Sequence, residues 1–237
     1  GIEASMRRLT HYDYWTNKVE PSILVSSSAD LLIYGMGEQP VREVLRLLSK
    51  GVPFTSLRTI PQTAVLIKSD DPLPVQNTWK DINLHSFEQC RDDKKLFSEN
   101  FVKFEKESNK IESARLNEPS GNLKVIVNPP FPPMTEEEAD MTYDLPFMYR
   151  PHPRYNKKED IPAYEMIKFS VNIHSGCFGG CSFCAIAAHH GKQIVSRSED
   201  SILKEVKMLT ELPDFKGYLS DLGGPSANMY RMKGKDM

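Results

Sequence analysis

Ile167-Lys-Phe-Ser-Val-Asn-Ile173, followed three residues later by Cys177-Phe-Gly-Gly-Cys181-Ser-Phe-Cys184, is the stretch on which the reading of this chain turns. Its first part is rich in β-branched and aromatic residues and reads as a strand. Its second part sets three cysteines at Cys-x3-Cys-x2-Cys spacing. Thiolates are soft ligands, so three on one loop directly after a strand point to a metal centre. Such a loop can reach three corners of an iron–sulfur cube and leave the fourth iron open to a small molecule. Gly179 and Gly180 let the backbone bend between ligands without a Cβ in the way.

Other chemistries remain open for these residues. Cys181-x2-Cys184 is followed after four residues by His189, and Cys177 supplies a further thiol, so a Cys3His zinc site is a second reading. That would make the chain a zinc-stabilised interaction module. A zinc knuckle would need another Cys where position 194 is Ile. A Cys-x-x-Cys redox pair is weakened by the third thiol so near. Three packed cysteines without a metal are the bland alternative. Cys90 stands apart and reads as a simple packed or exposed thiol.

Downstream, Ser198 caps a helix that opens Glu199-Asp200 and carries Ile202, Val206 and Leu209 on one face. Pro213–Gly217 turns the chain, and Tyr218–Leu222 reads as the next strand, ending in Gly223-Gly224-Pro225. This is a strand–loop–helix–strand unit with its chemistry after the strands' C-terminal ends, the active-site face of barrels built from such units. Arg197 is placed to reach a ligand carboxylate or to sit at the surface as a capping residue. His189 and His190 read as exposed histidines, and Asp221 as a residue that orients the loop.

Upstream, residues 1 to about 70 read as α/β. Leu31–Tyr34 is a short strand, Gly35–Pro40 a tight loop, and Val41, Val44, Leu45 and Leu48 form one apolar helix face ended by Gly51. Thr63–Ile67 is another strand, and the strand–loop–helix–strand order suggests a parallel sheet. Residues from about 70 to 160 read as a connector. It holds a charged helix over 93–115, a short strand at Lys124–Asn128, a stiff Pro129–Pro133 run and a helix capped by Thr135. The Pro-rich run reads as a structural linker before a ligand for an SH3-like partner.

Composition narrows the classes further. The 30 basic and 32 acidic residues nearly balance, so no nucleic-acid or anionic-lipid signal stands out. No apolar run approaches the ~20 residues that span a bilayer. No signal peptide is visible, and clustered cysteines fit a metal site in a cytoplasmic protein better than a disulfide framework. The chain begins with Gly1 and stops soon after a strand and loop, which reads as an internal piece of a longer protein.

The cysteine spacing, with an aromatic before the last Cys, resembles the radical S-adenosylmethionine (SAM) superfamily. More narrowly, GIEASMRRLTHYDYW (1–15), IPAYEMIKFSVN (161–172), GCFGGCSFC (176–184), RSEDSI (197–202) and SDLGGPSANMYR (220–231) are similar to the YgiQ-type branch. The resemblance implies an α/β chain in three parts. These are the tail of a Rossmann-like, cobalamin-binding-like domain (1–75), a connector or insertion (76–160), and the start of a partial (β/α) barrel with the cluster loop (161–237). It implies that Cys177, Cys181 and Cys184 ligate a [4Fe–4S] cluster whose open iron chelates SAM. It places Phe183 beside the adenine, and Gly223-Gly224 where backbone meets the methionyl amine. The Glu usual after those glycines is missing. The Gly35-Met-Gly37-Glu38 turn resembles a segment of cobalamin-type relatives, but Asp-x-His-x-x-Gly does not occur, so no bound cobalamin is expected. The implied activity is reductive cleavage of SAM, with a reductant such as flavodoxin or ferredoxin as partner. The substrate and any catalytic side chain stay unknown, and this piece alone is expected to be inactive.

Overall fold

The structure, a computed structural model, describes residues 1–108, 110–155, 161–224 and 227–233. In chain order the first elements are α1 (Ile2–Met6), β1 (His11–Asp13), β2 (Lys18–Glu20), α2 (Ile23–Ser27), β3 (Leu32–Ile33), α3 (Glu38–Ser49) and β4 (Thr63–Lys68). They continue with β5 (Asp81–Asn83), α4 (Phe87–Asp92), α5 (Lys94–Ser108), β6 (Arg115–Ser120) and β7 (Leu123–Val127). Then come α6 (Glu136–Tyr143), α7 (Pro162–Ile167), β8 (Ser170–Asn172), β9 (His174–Ser175), α8 (Ile186–His190), β10 (Val195–Ser196), α9 (Glu199–Thr210) and β11 (Asp221–Gly223). Two compact units result. One holds Gly1–Pro132 with Phe183–Gly191, the other the described residues of Pro133–Ser182 and Lys192–Asp236. The chain is mixed α/β. No helix among the described residues is long and apolar enough to cross a membrane.

In the first unit a five-stranded sheet runs in the order β3-β4-β7-β6-β5. The expected parallel sheet is corrected here: β3/β4, β4/β7 and β7/β6 all pair antiparallel, and only β5/β6 is parallel. Strand β4 pairs with β7 from Ala64 to Lys68 and with β3 only at Thr63 and Ala64, and β7 follows β6 through a tight hairpin. Ser120 faces Leu123, and Gly121 takes φ +59 in the two-residue turn, where a Cβ would be disfavoured. Three of the five strands come from residues 81–127, so the sheet crosses the boundary expected at residue 75. One sheet face packs Leu24, Leu32, Ala64, Val125 and Val127, all buried. A side chain of this kind contributes roughly 1.5–3 kcal/mol when fully buried.

Local expectations meet this fold unevenly. Helix α3 forms, and the backbone N–H of Val52 reaches the Leu47 carbonyl past Gly51, which takes φ +77. Its apolar arc is only half covered: Pro40 and Val44 are buried, while Val41, Leu45 and Leu48 remain exposed. The helix expected over 93–115 forms as the shorter α5, and a separate helix, α4, precedes it. Helix α4 is closed by a Ser86/Gln89 capping box, α5 ends at Ser108, and Arg115 already lies in β6. In the Pro-rich run, Phe131 packs under α3 and its N–H donates to Gln62 Oε1 at 3.3 Å, a structural role.

The second unit is built on β8 and β11, which pair parallel with α9 between them in sequence, as the strand–helix–strand pattern predicts. Ser198 caps α9 by accepting from the Ser201 N–H. Val171, Ile173, Ile202 and Leu209 form the core. Both strands are displaced from their expected spans. Strand β8 begins at Ser170 rather than Ile167, which ends the helix α7, and β11 begins at Asp221 rather than Tyr218. Thr135 caps α6 through a box with Glu138, as its Glu-rich start predicts.

Candidate functional site

The cysteine loop leaves the sheet through Gly176, at φ +87. A Cβ there would stand 2.0 Å from the Gln193 carbonyl oxygen, so no side chain fits beside the facing strand. Antiparallel pairing of β9 with β10 (Ser175 opposite Val195, His174 opposite Ser196) brings that strand alongside. Cys177 follows and is buried, at 7 % exposure. Its Sγ accepts the Gly179 N–H at 3.4 Å. A Cβ added at Gly179 would lie 3.4 Å from Cys177 Sγ and 3.7 Å from Cys181 Sγ, so the two sulfurs converge on one glycine. Gly180 takes φ +62, which turns the chain between the ligand positions. Cys181 is exposed and Cys184 half-buried.

The boundary between the compact units falls between Ser182 and Phe183, so Cys177 and Cys181 belong to the second and Cys184 to the first. Among the described residues, no three His, Cys, Asp or Glu side chains come together as a ready metal-binding group. Two of the three thiols share a locale and the trio is not closed. The donor chemistry fits a thiolate-ligated cluster, and the Gly179 N–H to sulfur contact is the kind that tunes such centres. Phe183 presents its ring to solvent at 91 % exposure.

His189 sits in the first unit, on α8, which packs on α1. Its Nδ1 is 2.8 Å from Ser5 Oγ, which in turn accepts the Gly35 N–H at 2.9 Å. Burial, and then the neighbouring His190, pulls its pKa below the usual histidine value. Neither His189 nor His190 is the exposed residue that the sequence suggests.

Gly223 and Gly224 follow β11. A Cβ at Gly223 would meet Asp221 Oδ1 at 3.2 Å, so the Asp221 carboxylate does face this segment. A Cβ at Gly224 would overlap the His174 ring, 2.0 Å from Nε2. Pro225 lies outside the described residues. His174 is buried in β9, and its Nε2 accepts the Met229 N–H at 3.0 Å. This histidine was not legible from the sequence. It stands three residues before Cys177 with no motif of its own, and its partners are fifty residues away.

Arg197 is neither a surface cap nor an available ligand for a carboxylate. At 2 % exposure it pairs with Glu205, and it donates to the Asn172 carbonyl at 2.8 Å and to Ser201 Oγ at 2.9 and 3.2 Å. Its guanidinium lies 3.7 Å from the Tyr143 ring centroid. It therefore ties β8 to α9. A buried, fully engaged guanidinium of this kind is a positioning group.

The chain resembles known proteins over its whole length. The family model described as Radical SAM N-terminal matches residues 1–170. A UPF0313 protein of Bacteroides thetaiotaomicron is 56% identical over 247 residues, covering 100% of this chain and 39% of the relative. A UPF0313 protein of Porphyromonas gingivalis is 56% identical over 238 residues, with 100% and 37% covered. One of Clostridium botulinum is 45% identical over 229 residues, with 96% and 35% covered. The chain thus spans well under half the length of these relatives. No solved structure matches it.

Proposed function

The chain belongs to the Radical SAM N-terminal family, and from that membership we propose that its cysteine loop is the cluster-binding loop of a radical SAM enzyme. The observation that carries the reading is the loop itself, Cys-x3-Cys-x2-Cys immediately after β9, with Cys177 and Cys181 converging on Gly179. It lies just beyond the residues that the family model matches, next to a parallel strand–helix–strand unit that we read as the opening of a (β/α) barrel.

Cys177, Cys181 and Cys184 would hold a [4Fe–4S] cluster. When bound, the reduced cluster supplies one-electron cleavage of the sulfonium of SAM. The chain's own residues position and shield. Gly179 lets the two nearer sulfurs approach each other, and its N–H donates to the Cys177 sulfur. Phe183 offers an exposed ring for an adenine to stack on. Gly223 and Gly224 offer backbone groups to the methionyl end. The reductant is a small electron carrier such as flavodoxin or ferredoxin. The substrate belongs to the whole protein, and fold alone does not choose it. This chain by itself is inactive in SAM cleavage, because among the described residues its second unit has only the strand pairs β8/β11 and β9/β10, short of a closed barrel.

The test is anaerobic loading with iron and sulfide. Expected is a brown protein with absorption near ~400 nm and about four irons and four sulfides per chain. Ala at Cys177, Cys181 or Cys184 abolishes it, whereas Cys90→Ala leaves it intact. A colourless protein that takes up one zinc instead refutes the reading.

A further inference from the structure

His174 gathers two features of the segment after β11 onto one ring. The Met229 N–H donates to Nε2 at 3.0 Å. On the other side, a Cβ at Gly224 would stand 2.0 Å from Nε2, 2.2 Å from Cε1 and 2.7 Å from Cδ2, so the imidazole occupies the space of a side chain there. One residue earlier, the Ile173 N–H donates to the Gly223 carbonyl at 2.9 Å. Gly223, Gly224 and Met229 are therefore all referenced to Ile173-His174, just ahead of the first cysteine.

The hydrogen bonds assign the tautomer. Nε2 accepts, so it keeps its lone pair, and the neutral ring carries its proton on Nδ1. Burial lowers the pKa of the ring, opposed by the carbonyls of Ala227 and Ser175, which favours that neutral form. Nδ1 is buried without a hydrogen-bond partner among the described residues.

We propose that His174 is the positioning residue of the glycine segment: its imidazole, accepting at Nε2, sets Gly224 and Met229 in register for the amino-acid end of SAM. Gly224 is then glycine chiefly to clear this ring, rather than to admit a ligand. The inference rests on the reading of Gly223-Gly224 given above, and two of its three tests do not depend on that reading.

First, a stability cycle uses the chain without metal. Gly224→Ala lowers the urea midpoint strongly in the native background and several-fold less in His174→Ala, where the methyl has room. Equal losses in both backgrounds overturn the proposal. Second, ring 15N shifts of the native chain at neutral pH report a neutral Nδ1–H tautomer for His174; a neutral Nε2–H tautomer overturns it, even where the variants fail to fold. Third, SAM binding to iron- and sulfide-loaded protein is measured by equilibrium dialysis. His174→Ala weakens it about tenfold, the effect of losing one well-made buried hydrogen bond. His174→Gln, whose Oε1 can take the place of Nε2 as acceptor, restores most of it. Unchanged affinity in a folded His174→Ala protein overturns the positioning role. If native loaded protein binds no SAM, the cluster reading fails, while the first two tests still decide whether His174 holds the segment.

Discussion

Replacing Arg197 by Met should destabilise the second unit by about 3–5 kcal/mol, the usual effect of removing one partner from a buried ion pair. The structure supplies the reasons. Arg197 and Glu205 have side chains only 2 % and 10 % exposed, so water cannot take over from a lost partner. Met is close to Arg in length and keeps much of the packing on Tyr143. What it removes is the charge, the donors to Asn172 and Ser201, and a cation–π contact worth roughly 1–2 kcal/mol when desolvated. Glu205 would then keep only the Tyr149 hydroxyl at 3.1 Å as a hydrogen-bond donor of those described. Glu205→Gln leaves the opposite orphan, a buried cation with neutral acceptors. The double variant should recover part of the sum, with a coupling of about 2 kcal/mol, because the residues touch. The assay is urea denaturation of the four proteins, followed by circular dichroism. Single losses below about 1 kcal/mol, or losses that add to within about 0.5 kcal/mol, would refute the claim that this pair pins β8 to α9.

Glu118 should give the first unit a pH dependence: burial pushes its carboxyl up to about 7, against the Thr10 N–H and hydroxyl, which pull it down. An acid raised on folding binds protons more tightly in the native state. Stability is therefore greatest below its unfolded value near 4.5 and falls by up to about 3 kcal/mol as pH rises to 7, then levels off. Glu118→Gln should flatten that slope in melts between pH 5 and 8; an unchanged slope would refute the assignment. Gly176→Ala should lower stability by about 2 kcal/mol or more, since it combines φ +87 with a Cβ 2.0 Å from a backbone carbonyl that cannot step aside. Its thermal melt should fall well below that of Gly180→Ala, which shares the positive φ but has open space. Cys90 is fully buried and its thiol is pushed up to about 11, chiefly by that burial, so iodoacetamide at pH 8 should alkylate exposed Cys181 long before Cys90. Mass spectrometry of a time course reads the order directly, and early loss of Cys90 would contradict it.

Legibility followed the range of the interactions. Ser198 and Thr135 each cap a helix using an N–H three residues away, so the sequence shows both starts. The hairpin of β6 and β7 had a signal in Gly121-Asn122, but Arg115-Leu-Asn-Glu-Pro-Ser120 does not look like a strand. It becomes one because distant groups satisfy its polar side chains: Arg115 pairs with Asp81 at 2.7 Å, and Glu118 accepts from Thr10. The helix expected over 93–115 forms as α5 but stops at Ser108, and by Arg115 the chain is already in β6, where the distant Asp81 pairs with it.

The chain's own letters pointed to the residues proposed to carry the chemistry, because ligand softness and loop spacing are properties of neighbours in sequence. They also settled the family and the strand–helix–strand order around the cysteines. Tertiary structure alone decided sheet direction, since β3 and β4 could pair either way until β7 took the far side of β4. It also removed Arg197 from the ligand candidates and brought forward His174. Burial and hydrogen-bond satisfaction are set by residues twenty-five to fifty-five positions away, and no local pattern encodes them.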